Sequence, residues 1–213
     1  MNCQLLFSIG ENLQKLEKAV EALPLYKEAY KQSSANEFFE LANRTMLGIA
    51  VSELSQGNFN QAISLLNNVK SYANAVNDKE LFLDALNHVG IVYTSSRMPK
   101  QAASILEECV QKRLEMGDFY KALSSKQNLA SAYQDMGRLD EALDLLKEAV
   151  EEYEKYDIQL DLCIASVNYG YTLGRAGRKI EAKIYLEKGL ELAEKLKNRT
   201  QYQLAKSSLE ELE

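Results

Sequence analysis

The chain has 213 residues, a formal charge of -6, 46% hydrophobic and 26% charged side chains. That balance belongs to a folded, soluble protein and not to a disordered one. A diffuse acidic excess excludes binding a nucleic-acid backbone by bulk electrostatics. Two Pro among 213 residues and the prevalence of Glu, Lys, Leu and Ala favour helix, and no stretch alternates β-branched with polar residues as a strand would.

Apolar residues three and four apart, broken by polar or glycine-bearing turns, predict helices over 3–15, 18–34, 36–56, 59–76, 79–96, 99–116, 119–136, 139–156, 158–176, 179–197 and 200–211. Helix-start signals stand at Asn77-Asp78, Gly117-Asp118, Asp157 and Asn198. Gly57, Gly137 and Gly177 sit where a left-handed residue would end a helix, and Glu17 and Arg97 take that place in the other two units. Pro99 suits a first helical turn. Pro24 falls inside its helix and is expected to delay or kink it.

The elements repeat at a spacing of 40 residues. One register holds Ala22, Ala62, Ala102, Ala142 and Ala182; four residues on it holds Tyr26, Leu66, Leu106, Leu146 and Leu186. Upstream, a second register is always Gly or Ala: Gly10, Ala50, Gly90, Ala130 and Gly170. Gly inside a helix costs about 1 kcal/mol relative to Ala, so its recurrence marks close packing by another helix. Each unit is therefore two helices and a tight turn that cannot bury its apolar side alone and stacks on the next.

This pattern, with Asn128-Leu129-Ala130 and Asn168-Tyr169-Gly170, resembles the tetratricopeptide repeat (TPR), and the 40-residue length is similar to the longer-helix variants of MalT-type regulators, kinesin light chain, Pins/LGN adaptors and peptide-pheromone sensors. The resemblance implies an all-α fold, an α-α superhelix (TPR solenoid). One domain over 1–213 would hold repeats at roughly 3–42, 43–82, 83–122, 123–162 and 163–202, with a capping helix at 200–211.

It also implies that the first helix of each pair lines a concave groove. There the candidate ligand- or peptide-binding residues are Asn87, His88, Gln127, Asn128, Gln134, Asn168, Tyr171 and Arg175. Asn side chains in a ladder can donate to and accept from an extended backbone, although Asn128 and Asn168 could equally tie repeat to repeat. Phe7 and Glu11 stand where the chaperone-tail-binding members of the family carry cations and Asn, which argues against that partner.

Enzyme chemistry finds no footing. The single His, His88, stands in no metal or catalytic motif, and no phosphate-binding glycine loop or nucleophile elbow is present. Cys3, Cys109 and Cys163 form no CxxC pair, so neither a disulfide framework nor a zinc site is expected; Cys109 falls on a packed face. Adjacent acids such as Glu151 and Glu152 diverge on a helix and cannot face one another. The basic run Arg175, Arg178, Lys179, Lys183 and Lys188 and the acidic run Glu148, Glu151, Glu152 and Glu154 read as paired, solvated helix faces.

No metal and no cofactor are expected, and no membrane span or secretion signal. The expectation is a cytoplasmic, non-catalytic scaffold for a protein or peptide partner, with exposed solenoid ends that leave room for a homodimer. The alternative is the sensory segment of a larger signalling protein or transcription regulator.

Overall fold

The computed structural model describes residues 2–15 and 18–212. Among the described residues it holds eleven helices and no strand: α1 Cys3–Lys15, α2 Ala19–Ala35, α3 Phe39–Ser55, α4 Phe59–Ala75, α5 Lys79–Ser95, α6 Pro99–Glu115, α7 Phe119–Asp135, α8 Leu139–Lys155, α9 Gln159–Arg175, α10 Lys179–Leu196 and α11 Arg199–Leu212. The architecture is an α-α solenoid of helix pairs. No helix among the described residues is long and apolar enough to cross a membrane. The expected turn position at Glu17 lies outside the described residues.

The chain divides into two compact units, 1–96 and 97–213. The boundary falls between the two helices of the expected third repeat. In the first unit each helix packs on its neighbours in sequence, and α1, α3 and α5 also touch in succession. In the second unit α7, α9 and α11 do the same. The first helices of the pairs thus make a continuous inner layer within each unit, as stacked hairpins require.

Helix length is set by a punctuation mark every 20 residues. Glu37, Gly57, Asn77, Arg97, Gly117, Gly137, Asp157, Gly177 and Lys197 all have positive φ, between 53° and 78°. Beyond it, the next N–H reaches back to the last turn: Asn58 to the Glu53 carbonyl at 3.0 Å, Arg138 to Tyr133 and Arg178 to Leu173 at 2.9 Å. This is the Schellman closure of a helix end. Asp78, Asp118 and Asn198 then cap the following helices by accepting from the N–H of Leu81, Lys121 and Gln201 at 2.9, 3.2 and 3.0 Å. Asp157, expected as a start signal, takes the left-handed position instead, and Ile158 precedes α9 without a side-chain cap.

Two expectations about helix ends need correction. The third helix starts at Phe39, not at 36, because Asn36 N–H still donates to the Gln32 carbonyl and Glu37 N–H to that of Ser34, at 3.1 and 3.2 Å, as the end of α2, and Glu37 is left-handed. Pro24 does not delay α2, which begins at Ala19. The carbonyl of Val20, deprived of its N–H donor, belongs to an exposed residue.

The recurrent alanines at 22, 62, 102, 142 and 182 are all 0% exposed. Leu66, Leu106, Leu146 and Leu186 are equally buried, and each such side chain contributes about 1.5–3 kcal/mol. Cys109 and Cys163 are buried among them, and burial pushes the Cys163 thiol up to about 11. The lid α11 buries Ala205 and Ser208 and rests Leu209 and Leu212 on the Val167–Leu186 cluster. Leu204 of the same helix is 36% exposed.

The first repeat solves the packing differently. Tyr26 replaces the leucine of the other repeats and is 1% exposed. Its ring fills space left by two glycines: a Cβ on Gly10 would lie 2.8 Å from it and one on Gly48 2.6 Å. Tyr26 Oη donates to Gln14 Oε1 at 2.8 Å, and Gln14 Nε2 donates to the Gly48 carbonyl at 3.1 Å, so α1, α2 and α3 are joined at one point. Gly48→Ala should destabilise the chain by about 1–3 kcal/mol through overpacking, read by chemical denaturation. Adding Tyr26→Leu should recover part of that loss, because the two positions share one space; additive losses would refute the exchange.

Candidate functional site

The accessible part of the first helices is narrow. Along the second half of α7 only Asn128, Ser131 and Asp135 escape burial. Along α9 from Ile164 the accessible residues are Ile164, Asn168, Tyr171, Gly174 and Arg175. Steps of three and four place each set on one side of its helix, with buried neighbours on both flanks. In the first unit α5 shows the same stripe, where Asn87, His88, Ile91 and Thr94 are half-buried between Val89, Gly90 and Val92. Asn87, His88 and Asn128 each already hold a partner within the chain.

Gln127 and Gln134 are placed otherwise. They are 7% and 9% exposed. Gln127 Nε2 donates to Tyr153 Oη at 3.4 Å, across to α8. Gln134 Nε2 donates to Thr172 Oγ1 at 2.6 Å, and that hydroxyl donates to the Asn168 carbonyl at 2.7 Å. An amide of α7 is thereby tied to the backbone of α9 beside Asn168. Thr172 lies outside the expected set; its signal is a hydroxyl, shared with Ser52, where Val92 and Ala132 occupy the same register.

Tyr171 and Arg175 are brought together, with the guanidinium carbon 5.9 Å from the ring centroid. Both line a cleft of 160 Å³ that also includes Lys179 of α10 and Ser208, Glu211 and Leu212 of α11. Lys179 Nζ donates to the Leu212 carbonyl at 2.7 Å, fastening the lid.

The charged runs are paired as solvated faces. Arg178 binds Glu181 at 2.6 Å, Lys188 binds Glu154 at 2.9 Å and Lys155 binds Glu152 at 3.3 Å. Exposed pairs of this kind add little to stability. Among the described residues no group of three His, Cys, Asp or Glu side chains could hold a metal ion.

The comparisons agree with this architecture. The tetratricopeptide repeat family model matches residues 118–195, which span α7 to α10. A Rap protein in complex with competence and sporulation factor superposes with a TM-score of 0.85 at 13% identity, over 97% of this chain and 61% of that one. A thermophilic TPR protein of Thermus thermophilus gives 0.73 at 20%, over 95% and 98%. A signal-transduction ATPase with a tetratricopeptide repeat sensor, from Pyrococcus horikoshii, gives 0.74 at 17%, over 96% and 31%. At these identities the likeness is one of fold. No curated protein matches the sequence. Residues 118–195 carry tetratricopeptide repeats, and the matched repeats hold four of the expected contact residues at accessible positions: Asn128, Asn168, Tyr171 and Arg175.

Thr172→Val should cost about 1–3 kcal/mol, since it leaves the buried Gln134 amide without its acceptor. Gln134→Met on that background should return most of the loss in urea denaturation. A Thr172→Val chain as stable as the parent would show that the bond does not couple α7 to α9.

Proposed function

We propose that the chain is a non-catalytic interaction scaffold whose first-helix stripes hold an extended peptide or a helix of a protein partner. The observation that carries this reading is the confinement of accessibility, along the second half of α7 and along α9 from Ile164, to one largely polar row each. The rows bring Asn128 and Asn168 to equivalent places 40 residues apart. Primary amides at a repeated spacing can bond a main chain whatever its side chains, while Tyr171 and Arg175 would read an aromatic or acidic neighbour. Asn87 and His88 offer the corresponding contacts in the first unit. Gln134 serves by holding α9 in register and Gln127 by anchoring α8.

The Rap complex supports a binding role, because a protein of the same fold is there bound to a named factor. An arrayed library of short synthetic peptides should yield binders of the intact chain. Asn128→Ala with Asn168→Ala should weaken them about tenfold, or about 1.4 kcal/mol, with the helical circular dichroism unchanged. Unaltered affinity would remove the stripe from the reading.

A second reading has its own support. The chain spans 61% of the Rap protein and 31% of the Pyrococcus ATPase, so the same fold serves as one part of larger chains. On this reading the protein is the sensory segment of a signalling protein. Sequencing the coding region around it should reveal an effector domain in the same frame, and stop codons bounding the segment on both sides would rule that out.

A further inference from the structure

The fourth repeat departs from the others on the side of α7 turned away from the stripe. A cleft of 440 Å³ opens between the start of α7 and the end of α8, lined chiefly by Phe119, Tyr120, Lys126, Glu152, Tyr153 and Tyr156. At 3.6 residues per turn, Phe119, Leu123 and Lys126 lie roughly opposite Asn128 and Ser131 on α7.

Comparison among the repeats shows how unusual this place is. Where Lys126 stands, the other repeats have Leu6, Met46, Leu86 and Ser166; where Tyr153 stands, they have Ser33, Ala73, Arg113 and Ala193. Tyr156 replaces Asn36, Val76, Met116 and Leu196. Lys126 is 9% exposed, and Nζ binds both oxygens of Glu148 at 2.6 and 2.7 Å. Burying the ammonium costs desolvation that its half-exposed partner offsets only in part; a leucine in the place of the lysine would serve the core better.

The rings are fixed before any ligand arrives. Tyr120 Oη donates to Asp161 at 2.6 Å. Tyr153 Oη lies 3.3 Å from Ser124 Oγ, and the two rings meet edge to face at 6.0 Å. Phe119 and Tyr156 nevertheless remain 67% and 64% exposed. The two carboxylates that line the cleft, Glu148 and Glu152, pair with Lys126 and Lys155 and keep side chains 49% and 38% exposed. The chain already displays the chemistry this edge accepts. Lys155 Nζ sits 4.8 Å from the Tyr156 ring centroid while pairing with Glu152 at 3.3 Å, an ammonium held between a ring and a carboxylate.

We propose that this cleft is a second docking site, which takes an arginine or lysine side chain together with an adjacent apolar residue from a protein partner. The cation replaces Lys155 between Tyr156 and Glu152, and the apolar residue covers Phe119. The site is independent of the peptide-binding stripe.

The test uses two small probes on the full chain, N-acetyl-leucyl-arginine amide and N-acetyl-leucyl-glutamate amide, followed by amide chemical shifts in NMR titration. The arginine probe should move the signals of 119–126 and 148–158, and Phe119→Ala with Tyr156→Ala should weaken it at least tenfold. Both residues are exposed, so the variant should keep its fold, checked by circular dichroism. Asn128→Ala with Asn168→Ala should leave this binding unchanged, which separates its failure from failure of the stripe. Equal binding of the glutamate probe, no shift with either probe, or arginine binding indifferent to loss of the two rings would each overturn the proposal.

Discussion

The left-handed residue that recurs every 20 positions is the constraint on which the rest depends. A helix of 17 residues, three residues of turn and one positive φ make a half-repeat. The sign of that φ lets the following N–H close the helix end and sends the chain back along its neighbour. Helices of equal length then bring the same registers opposite one another in every pair, and only under that condition can one alanine and one large side chain per repeat be buried five times in a row. Where glycine fills the position the backbone cost is small, and Asn77 and Asp157 tolerate it; Glu37, Arg97 and Lys197 each accept about 1–2 kcal/mol of strain. Tertiary stacking must outweigh it, so the turns are consequences of the packing as much as its cause.

Much of this was legible from spacing alone. Length, period and small-residue register are properties of the one-dimensional pattern, and the alanines, leucines and most helix ends follow from it. The exchange between Tyr26, Gly10 and Gly48 was not legible, because it lies in the sum of volumes across three helices and no single position betrays it. Gly48 read alone is a gap in a polar ladder; beside Tyr26 it is the space into which a ring fits. Asp157 misled for a related reason. Asp is favoured both at a helix start and in the left-handed turn, and only the geometry of the preceding helix end decides between them.

The expected contact residues divide by the same logic. Sequence spacing places a residue on a side of a helix, but the neighbouring helix decides whether that side is open. Asn128 and Gln134 are both polar residues of α7, six positions apart. One is accessible, and the other faces Thr172 of α9 and is buried. A polar residue on a first helix therefore has two possible occupations, ligand contact or a tie between repeats. Burial together with an existing partner distinguishes them better than residue type does.

A repeat protein supplies its own internal comparison. Positions that do the same structural work should carry interchangeable residues, and where four repeats offer small or apolar groups, a fifth that offers a buried lysine or an exposed tyrosine is answering another demand. The same measure separates Lys126 and Tyr156, which depart from register and crowd one cleft, from Glu53. That glutamate also departs, standing where Tyr93, Tyr133 and Leu173 occur, but its carboxylate is taken up by Asn58, Gln61 and Lys27 at 2.7, 3.2 and 3.3 Å. An anomaly satisfied by neighbouring side chains that leaves no ring exposed needs no ligand to account for it. An anomaly that leaves the aromatic rings of Phe119 and Tyr156 uncovered has retained a surface that the fold itself does not require.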